Sequence, residues 1–290
     1  MTPRYCVGLL ACGLWAVGGC GRSSEGIRME GSDTMVNVAQ AWAEEYHQMH
    51  PKAIVQVLGG GSGVGIASLI DGNCDLANAS RKMENKEIQR LKAKRGAEPK
   101  EHVVGYDALA VYVHKHNPLD SISLEELAEI YGEGGKISKW SQLGVDSKVL
   151  GTDEITRVSR QNSSGTYAYF REAVLGKGRD YKLGSIDQSG SKDVVALVAS
   201  TPGAIGYSGM GYATPGVKTL KISKHKGEPG IAPTIENAKN EKYPISRPLW
   251  IYTAGEPEGQ AKAFLDWILG PEGQKVVLEL GYVPVGEHAK

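Results

Sequence analysis

The sequence predicts an α/β protein of two lobes with a ligand cleft between them. Three observations carry this reading. Runs of β type alternate with runs of helix type along the chain. Several β runs end in a short polar Gly/Ser turn that opens a helix. Two long apolar strand runs, Val103–Val113 and Arg247–Thr253, are candidates to cross between lobes, one outward and one back. Two crossings give a discontinuous first lobe, residues 27–108 plus 250–290, with residues 109–249 inserted as the second.

The chain has 290 residues, ample for that architecture. Its N-terminus reads as an address. Residues 1–19 hold one early positive charge, an apolar run and then Val17-Gly-Gly-Cys20, the pattern of a secretory signal. Cys20 after Val-Gly-Gly resembles a bacterial lipobox, which implies acylation of that cysteine and a membrane anchor. Plain cleavage and a signal anchor are the alternatives. Residues 20–26 then read as a lipidated tether. Of four cysteines, Cys6 and Cys12 leave with the signal and Cys20 takes the lipid. Cys74 alone remains, so no intrachain disulfide can form, and it reads as a buried small hydrophobe.

The first strand is Gly26–Glu30, followed by the turn Gly31-Ser-Asp-Thr34. Val38, Ala39, Trp42, Ala43, Tyr46 and Met49 then recur at helical spacing, with Asp33 or Thr34 as N-cap and Pro51 as stop. Ala53–Leu58 is a strand, Gly59–Gly65 a turn, and Ile66–Ile70 a short helix. Cys74–Ala79 is a buried strand ending in Ser80-Arg81, and residues 84–95 form a charged helix. After the first crossing, Ser123 and Glu126 have capping-box spacing at the head of a helix. Glu154–Ser159 is a strand, Arg160–Thr166 a polar turn, and Thr166–Leu175 a helix closed by Gly176. Ser191–Ala199 is a helix and Ala204–Ser208 a strand. Residues 214–248 read as an edge with loops. Two helices, 257–269 and 271–280, close the chain.

The turns are where chemistry concentrates. Gly31-Ser-Asp-Thr34, Gly59-Gly-Gly-Ser62 and Asn162-Ser-Ser-Gly-Thr166 each join a strand to a helix, and Asn78-Ala-Ser-Arg81 ends a strand. In open α/β sheets, ligands sit beyond the carboxyl ends of strands. Helix starts offer unpaired N–H groups and a positive dipole end, which suit an anion. Any one turn is as well explained by ordinary helix capping. The set can face one cleft from two lobes.

Three of these turns, with Arg160 four residues before Ser164, resemble those of the phosphate-binding proteins of bacterial phosphate ABC importers. Gly203-Ala-Ile-Gly-Tyr207 and Gly273-Gln-Lys through Gly281-Tyr-Val-Pro284 extend the resemblance over residues 27–286. It implies a type II periplasmic-binding-protein fold and an extracytoplasmic receptor that closes on inorganic phosphate. It implies delivery to the permease and ATPase of an ABC importer. By position, Asp33 and Thr34 contact the anion from the first turn, with Ser32 beside them, and Ser62 from the second. Ser80 contributes from the strand end, and Arg160, Ser164, Gly165 and Thr166 from the third turn. Asn162 holds the place of a neighbour that orients the Arg. Some relatives carry an acid after Ala-Ser, where this chain has Arg81. Asp33 stands where those relatives have Thr. Either Asp33 has become the acceptor for the proton that phosphate keeps and sulfate lacks, or it is a helix cap paired with Arg81, or both.

Composition and motifs argue against other classes. Thirty-three basic residues balance thirty-three acidic ones, so no net field favours nucleic acid. Neither Gly-x-Ser-x-Gly nor a nucleotide P-loop occurs. The seven His are scattered and form no Cys–His cluster, so neither an enzyme, a metal site nor a cofactor is expected. Trp42, Trp140, Trp250 and Trp267 read as core or lobe surface. A monomer is expected. Another oxyanion (sulfate, molybdate or tungstate) and a phosphate sensor without transport are the remaining alternatives.

Overall fold

The structure, a computed structural model, describes residues 26–176 and 178–288. The signal, Cys20 and all of the tether except Gly26 lie outside the described residues.

One curled sheet runs through the described chain. Its first strands, β1 (Ile27–Gly31), β2 (Val55–Leu58) and β3 (Leu76–Ala79), are parallel. They are joined by helices α1 (Val36–Met49), α2 (Ser62–Asp71) and, after β3, α3 (Asn85–Arg95). β4 (Pro99–His114) is the longest strand. Beyond it come β5 (Ser121–Ser123), α4 (Leu124–Tyr131), a short α5 (Ser147–Leu150), β6 (Thr156–Arg160) and α6 (Gly165–Phe170). β7 (Ile186–Gln188), α7 (Ser191–Ser200), β8 (Ala204–Gly209), β9 (Val217–Thr219), β10 (Lys221–Ser223) and α8 (Ile235–Lys239) follow. β11 (Ser246–Ala254), α9 (Gly259–Leu269), α10 (Pro271–Glu279) and α11 (Val285–His288) end the chain. The strand order is β2-β1-β3-β11-β4-β8-β6-β7, with β9 also on β4 and β10 paired separately with β5.

β4 is the shared spine of the two lobes. Pro99–Ala108 pairs antiparallel with β11, whereas Leu109–Val113 pairs with β8. Its side chains alternate between faces, as strand geometry requires. Leu109, Val111 and Val113 join a core with α4 and α6, while Ala110 and Tyr112 join one with α7. β11 alternates likewise. Leu249 and Ile251 pack with α1, α9 and α10, and Trp250 and Tyr252 pack with α2 and α3. Packing passes back to the first lobe between Ile245 and Leu249. Pro248, which has no N–H, sits where β11 pairs with β4 and not yet with β3, just before a register shift at Leu249/Trp250. The architecture is the two-lobed periplasmic-binding fold.

Local differences from expectation have local causes. α1 begins at Val36 with Met35 in the cap position and no side-chain cap, because Asp33 and Thr34 turn toward the cleft instead. α2 begins at Ser62, inside the glycine run, since Gly60 and Gly61 take positive φ and complete the turn early. β6 includes Arg160, and the helix after it passes into a π turn over Arg171–Leu175 before Gly176. The Ser123/Glu126 capping box forms as the spacing predicts: Ser123 Oγ accepts from Glu126 N–H at 3.1 Å, and Glu126 accepts from Ser123 N–H at 3.1 Å. Trp42, Trp140 and Trp250 are core residues, and Cys74 is buried and free, its thiol pushed up to about 12 by burial.

Candidate functional site

The carboxyl ends of β1, β3 and β6, and the start of α2, deliver their turns to one place between the lobes. Ser32, Thr34, Ser62, Ser80, Arg160, Ser164 and Thr166 are all buried there. In the first lobe the hydroxyls interlock. Ser32 Oγ donates to Ser80 Oγ at 2.8 Å, and Ser80 N–H donates to Ser62 Oγ at 3.0 Å. In the second, Ser164 caps α6 by accepting from Thr166 N–H at 3.1 Å and Tyr167 N–H at 3.4 Å.

The two halves meet directly. Thr34 Oγ1 and Thr166 Oγ1 are 2.7 Å apart. Gly63 N–H donates to Ser163 O at 2.9 Å, and Ser163 Oγ donates to Gly60 O at 3.1 Å. Gly165 is what permits this approach. A Cβ there would lie 2.2 Å from Ser62 Oγ and 2.6 Å from Ser80 Oγ. Gly61, at φ +99°, serves the same contact from the other side, where a Cβ would meet Ser163 O at 2.7 Å.

Arg160 is fully buried and donates four ways. Nη2 reaches Asp33 Oδ2 at 2.9 Å and Ser189 O at 2.7 Å, Nη1 reaches Ser191 Oγ at 3.1 Å, and Nε reaches Gln188 O at 3.3 Å. Burial works against its charge and pulls its pKa down, and the Asp33 carboxylate opposes that. Asp33 also accepts Gly60 N–H at 2.9 Å on Oδ1. Each carboxylate oxygen has two lone-pair sites, so Asp33 retains acceptor capacity. Beside it a cavity of ≈ 240 Å³ opens between the first turn of α1 and the start of α7.

Two of the expected roles are corrected. Arg81 does not prop Asp33: its Nη1 and Nη2 bind both carboxylate oxygens of Glu87 at 2.8 and 2.7 Å. Glu87 is fixed for that by accepting Glu84 N–H at 2.8 Å at the head of α3. Asn162 does not orient Arg160; it is exposed on the rim of a separate groove with Glu84 and Arg171. The orienting groups are Gln188 O, Ser189 O and Ser191 Oγ, from the β7–α7 turn.

The residues missed from the sequence are Asp107 and Arg247. They sit opposite each other on β4 and β11, and both side chains are fully buried. Arg247 Nε and Nη2 donate to Asp107 Oδ2 at 3.2 and 2.9 Å, and Met210 N–H donates to Oδ1 at 3.2 Å. Burial pushes the Asp107 carboxyl above the ordinary carboxylate value, while Arg247 pulls the other way. Arg247 also touches Thr34, Thr166 and the Ser80 carbonyl. The signal for the pair was present: one Asp and one Arg, each inside an apolar strand run, must pair if both strands are buried.

Comparison with known proteins places the chain in two steps. The model of the PBP superfamily domain matches residues 19–272, the two-lobed solute-binding class that the fold and cleft define. The phosphate-binding protein PstS of Pseudomonas aeruginosa is 35% identical over 265 residues, 88% of this chain and 81% of that protein. PstS of Bacillus subtilis is 34% identical over 267 residues, 91% of this chain and 82% of that protein. A phosphate ABC transporter substrate-binding protein from Clostridium perfringens, solved with bound phosphate, superposes with a TM-score of 0.79 at 30% identity. That match covers 90% of this chain and 99% of the other. The chain belongs to the PstS phosphate-binding protein family.

Proposed function

We propose that this chain captures inorganic phosphate by closure of its lobes and delivers it to an ABC permease. The observation that carries the proposal is the convergence of buried donors from both lobes, with Thr34 and Thr166 at 2.7 Å across the cleft. Closure driven by a ligand needs contacts from both sides, and the turns supply them. The charges at the cleft, Arg160 with Asp33 and Arg247 with Asp107, sum to zero. The charge of the anion is therefore met by hydroxyl dipoles, backbone N–H groups and helix starts. Hydrogen bonds to a charged group contribute roughly 1.5–3 kcal/mol each. A set of this size covers the roughly 8 kcal/mol of micromolar binding after the entropy of association.

The ligand set is Ser32, Asp33, Thr34, Ser62, Ser80, Arg160, Ser164, Gly165 and Thr166. Asp33 accepts a hydrogen bond from the hydroxyl that monohydrogen phosphate retains and sulfate lacks. The lobes are residues 27–108 plus 250–290 and residues 109–249. Cys20 is acylated, so the receptor is held on the outer side of a membrane. It acts as a monomer without catalysis. Among the described residues, no helix is long and apolar enough to span a bilayer.

Calorimetry of the protein lacking residues 1–25, titrated with phosphate, sulfate and molybdate, tests the central claim. Heat with phosphate and little with sulfate is expected; heat only with another oxyanion, or none, overturns it. Palmitate labelling of the full chain in cells, abolished by Cys20→Ala, tests the anchor.

A further inference from the structure

Arg247 touches three of the four cleft turns and the interlobe strands at once. Its Nη1 donates to Ser80 O at 3.1 Å. Its Nη2 lies 2.9 Å from Asp107 Oδ2, 2.9 Å from Thr166 Oγ1 and 3.3 Å from Thr34 Oγ1. The Tyr169 ring covers the guanidinium at 5.2 Å, and Tyr169 OH donates to Ser246 O at 2.5 Å, so α6 is tied to the start of β11. Ser80 in turn holds Ser32 and Ser62.

Donor counting makes this arrangement directional. Nη2 carries two hydrogens. One goes to Asp107, and the other is shared between the two threonine hydroxyls, which therefore both accept from Arg247. A guanidinium accepts nothing, so each hydroxyl must turn its own proton away from it. One of those protons can bridge Thr34 and Thr166; the other is left pointing at the cleft. The threonines come from opposite lobes, so a shared N–H reaches both only when the lobes are together.

We propose that Arg247, held by Asp107 on the strands that join the lobes, is a positioning residue that orders the Thr34 and Thr166 hydroxyls so that one of them donates to the anion, and so couples capture to closure. This rests on the phosphate reading above. Ordinary structural pairing of Arg247 with Asp107 would stabilise the hinge but would leave the two hydroxyls free to rotate.

A double-mutant cycle separates the two. Phosphate affinity is measured by calorimetry for the wild type, Arg247→Lys, Thr166→Val and the double variant, with thermal melts to establish folding. Arg247→Lys keeps the charge beside Asp107 but loses the fork. It is expected to weaken phosphate binding about 10- to 100-fold, the scale of a hydrogen bond to a charged group. Thr166→Val is expected to cost a similar factor, and the double variant no more than the worse single, since both remove one device. Folded Arg247→Lys with affinity within about twofold of wild type, or losses that multiply in the double variant, overturns the proposal. Should Arg247→Lys not fold, Tyr169→Leu takes its place. It leaves the ion pair whole and is expected to weaken phosphate binding about threefold or more; unchanged affinity overturns the proposal. A wild type that gives no heat with phosphate would instead sink the phosphate reading itself, so the two failures are distinct.

Discussion

The molecule buries two guanidiniums a few residues from the same cleft, and they are held in opposite ways. Arg247 faces Asp107 from the neighbouring strand, and both side chains are fully buried. Arg160 faces Asp33 from the other lobe, and the Asp33 side chain is 13% exposed at the mouth of a cavity. The first pair exists by virtue of sheet register on strands that both lobes share. The second spans the cleft, with one partner from each lobe. One is architecture that reaches into the site; the other is part of the site itself.

Removing a partner from each pair should separate those roles, and the larger cost falls on the hinge. Asp107→Ala leaves Arg247 charged, buried and short of its carboxylate. Losing one member of a buried pair costs about 3–5 kcal/mol, to be seen as a lower urea midpoint in phosphate-free protein. A midpoint shift equal to that of a surface substitution would show the hinge to be plastic. Arg160→Ala should act mainly on the ligand, weakening phosphate binding by about 2–5 kcal/mol by calorimetry. If instead it lowers ligand-free stability more than Asp107→Ala does, the contrast between the pairs is wrong.

Next in size is Asp33→Asn. It keeps the shape and the capacity to accept Gly60 N–H but replaces the second acceptor oxygen with an amide NH2, which cannot accept a hydrogen bond from the ligand. Loss of one such charge-assisted contact is about 1.5–3 kcal/mol. It should fall on phosphate and spare sulfate, so the ratio of the two affinities is the readout. An unchanged ratio would leave Asp33 as a partner for Arg160 and nothing more.

The same contrast explains what could be read from the chain alone. Alternating strand and helix runs, the glycine turns and the two long apolar strands were legible because each is a local pattern with a local cause. Ser32, Thr34, Ser62 and Ser80 come together because their turns end the neighbouring strands β1, β2 and β3, and Arg160, Ser164 and Thr166 face them from the end of β6. Asp107 and Arg247 are 140 residues apart, and only register brings them opposite. Their strands were recognised as crossings, but the lone charge in each was passed over. Asn162 failed as an orienting residue for a different reason. The chain turns after Arg160, so the side chain two residues on faces outward, and groups from the β7–α7 turn take the role.

Arg81 is the third arginine near the cleft and the smallest test. The sequence places it beside Asp33, but Glu87 lies in the first turn of α3 and already has its orientation fixed by Glu84 N–H, so the nearer carboxylate wins. Burial raises the Glu87 pKa, yet the bonds from Arg81 and Glu84 N–H outweigh it and the net shift is downward. A carboxylate depressed in the folded state adds stability that is fully present above its unfolded pKa, about 4.3 for Glu. That stability is lost as pH falls through the lower folded value. Glu87→Gln should therefore cost about 1.5 kcal/mol at pH 7, the low end for a hydrogen bond to a charged group, since the Gln oxygen can still accept from Arg81, and the deficit should shrink in melts carried down through pH 4. Phosphate affinity and the phosphate-to-sulfate ratio should not move, because Arg81 released from Glu87 still has no bond to Asp33. A changed ratio would put Arg81 back among the residues that choose the anion, beside Asp33.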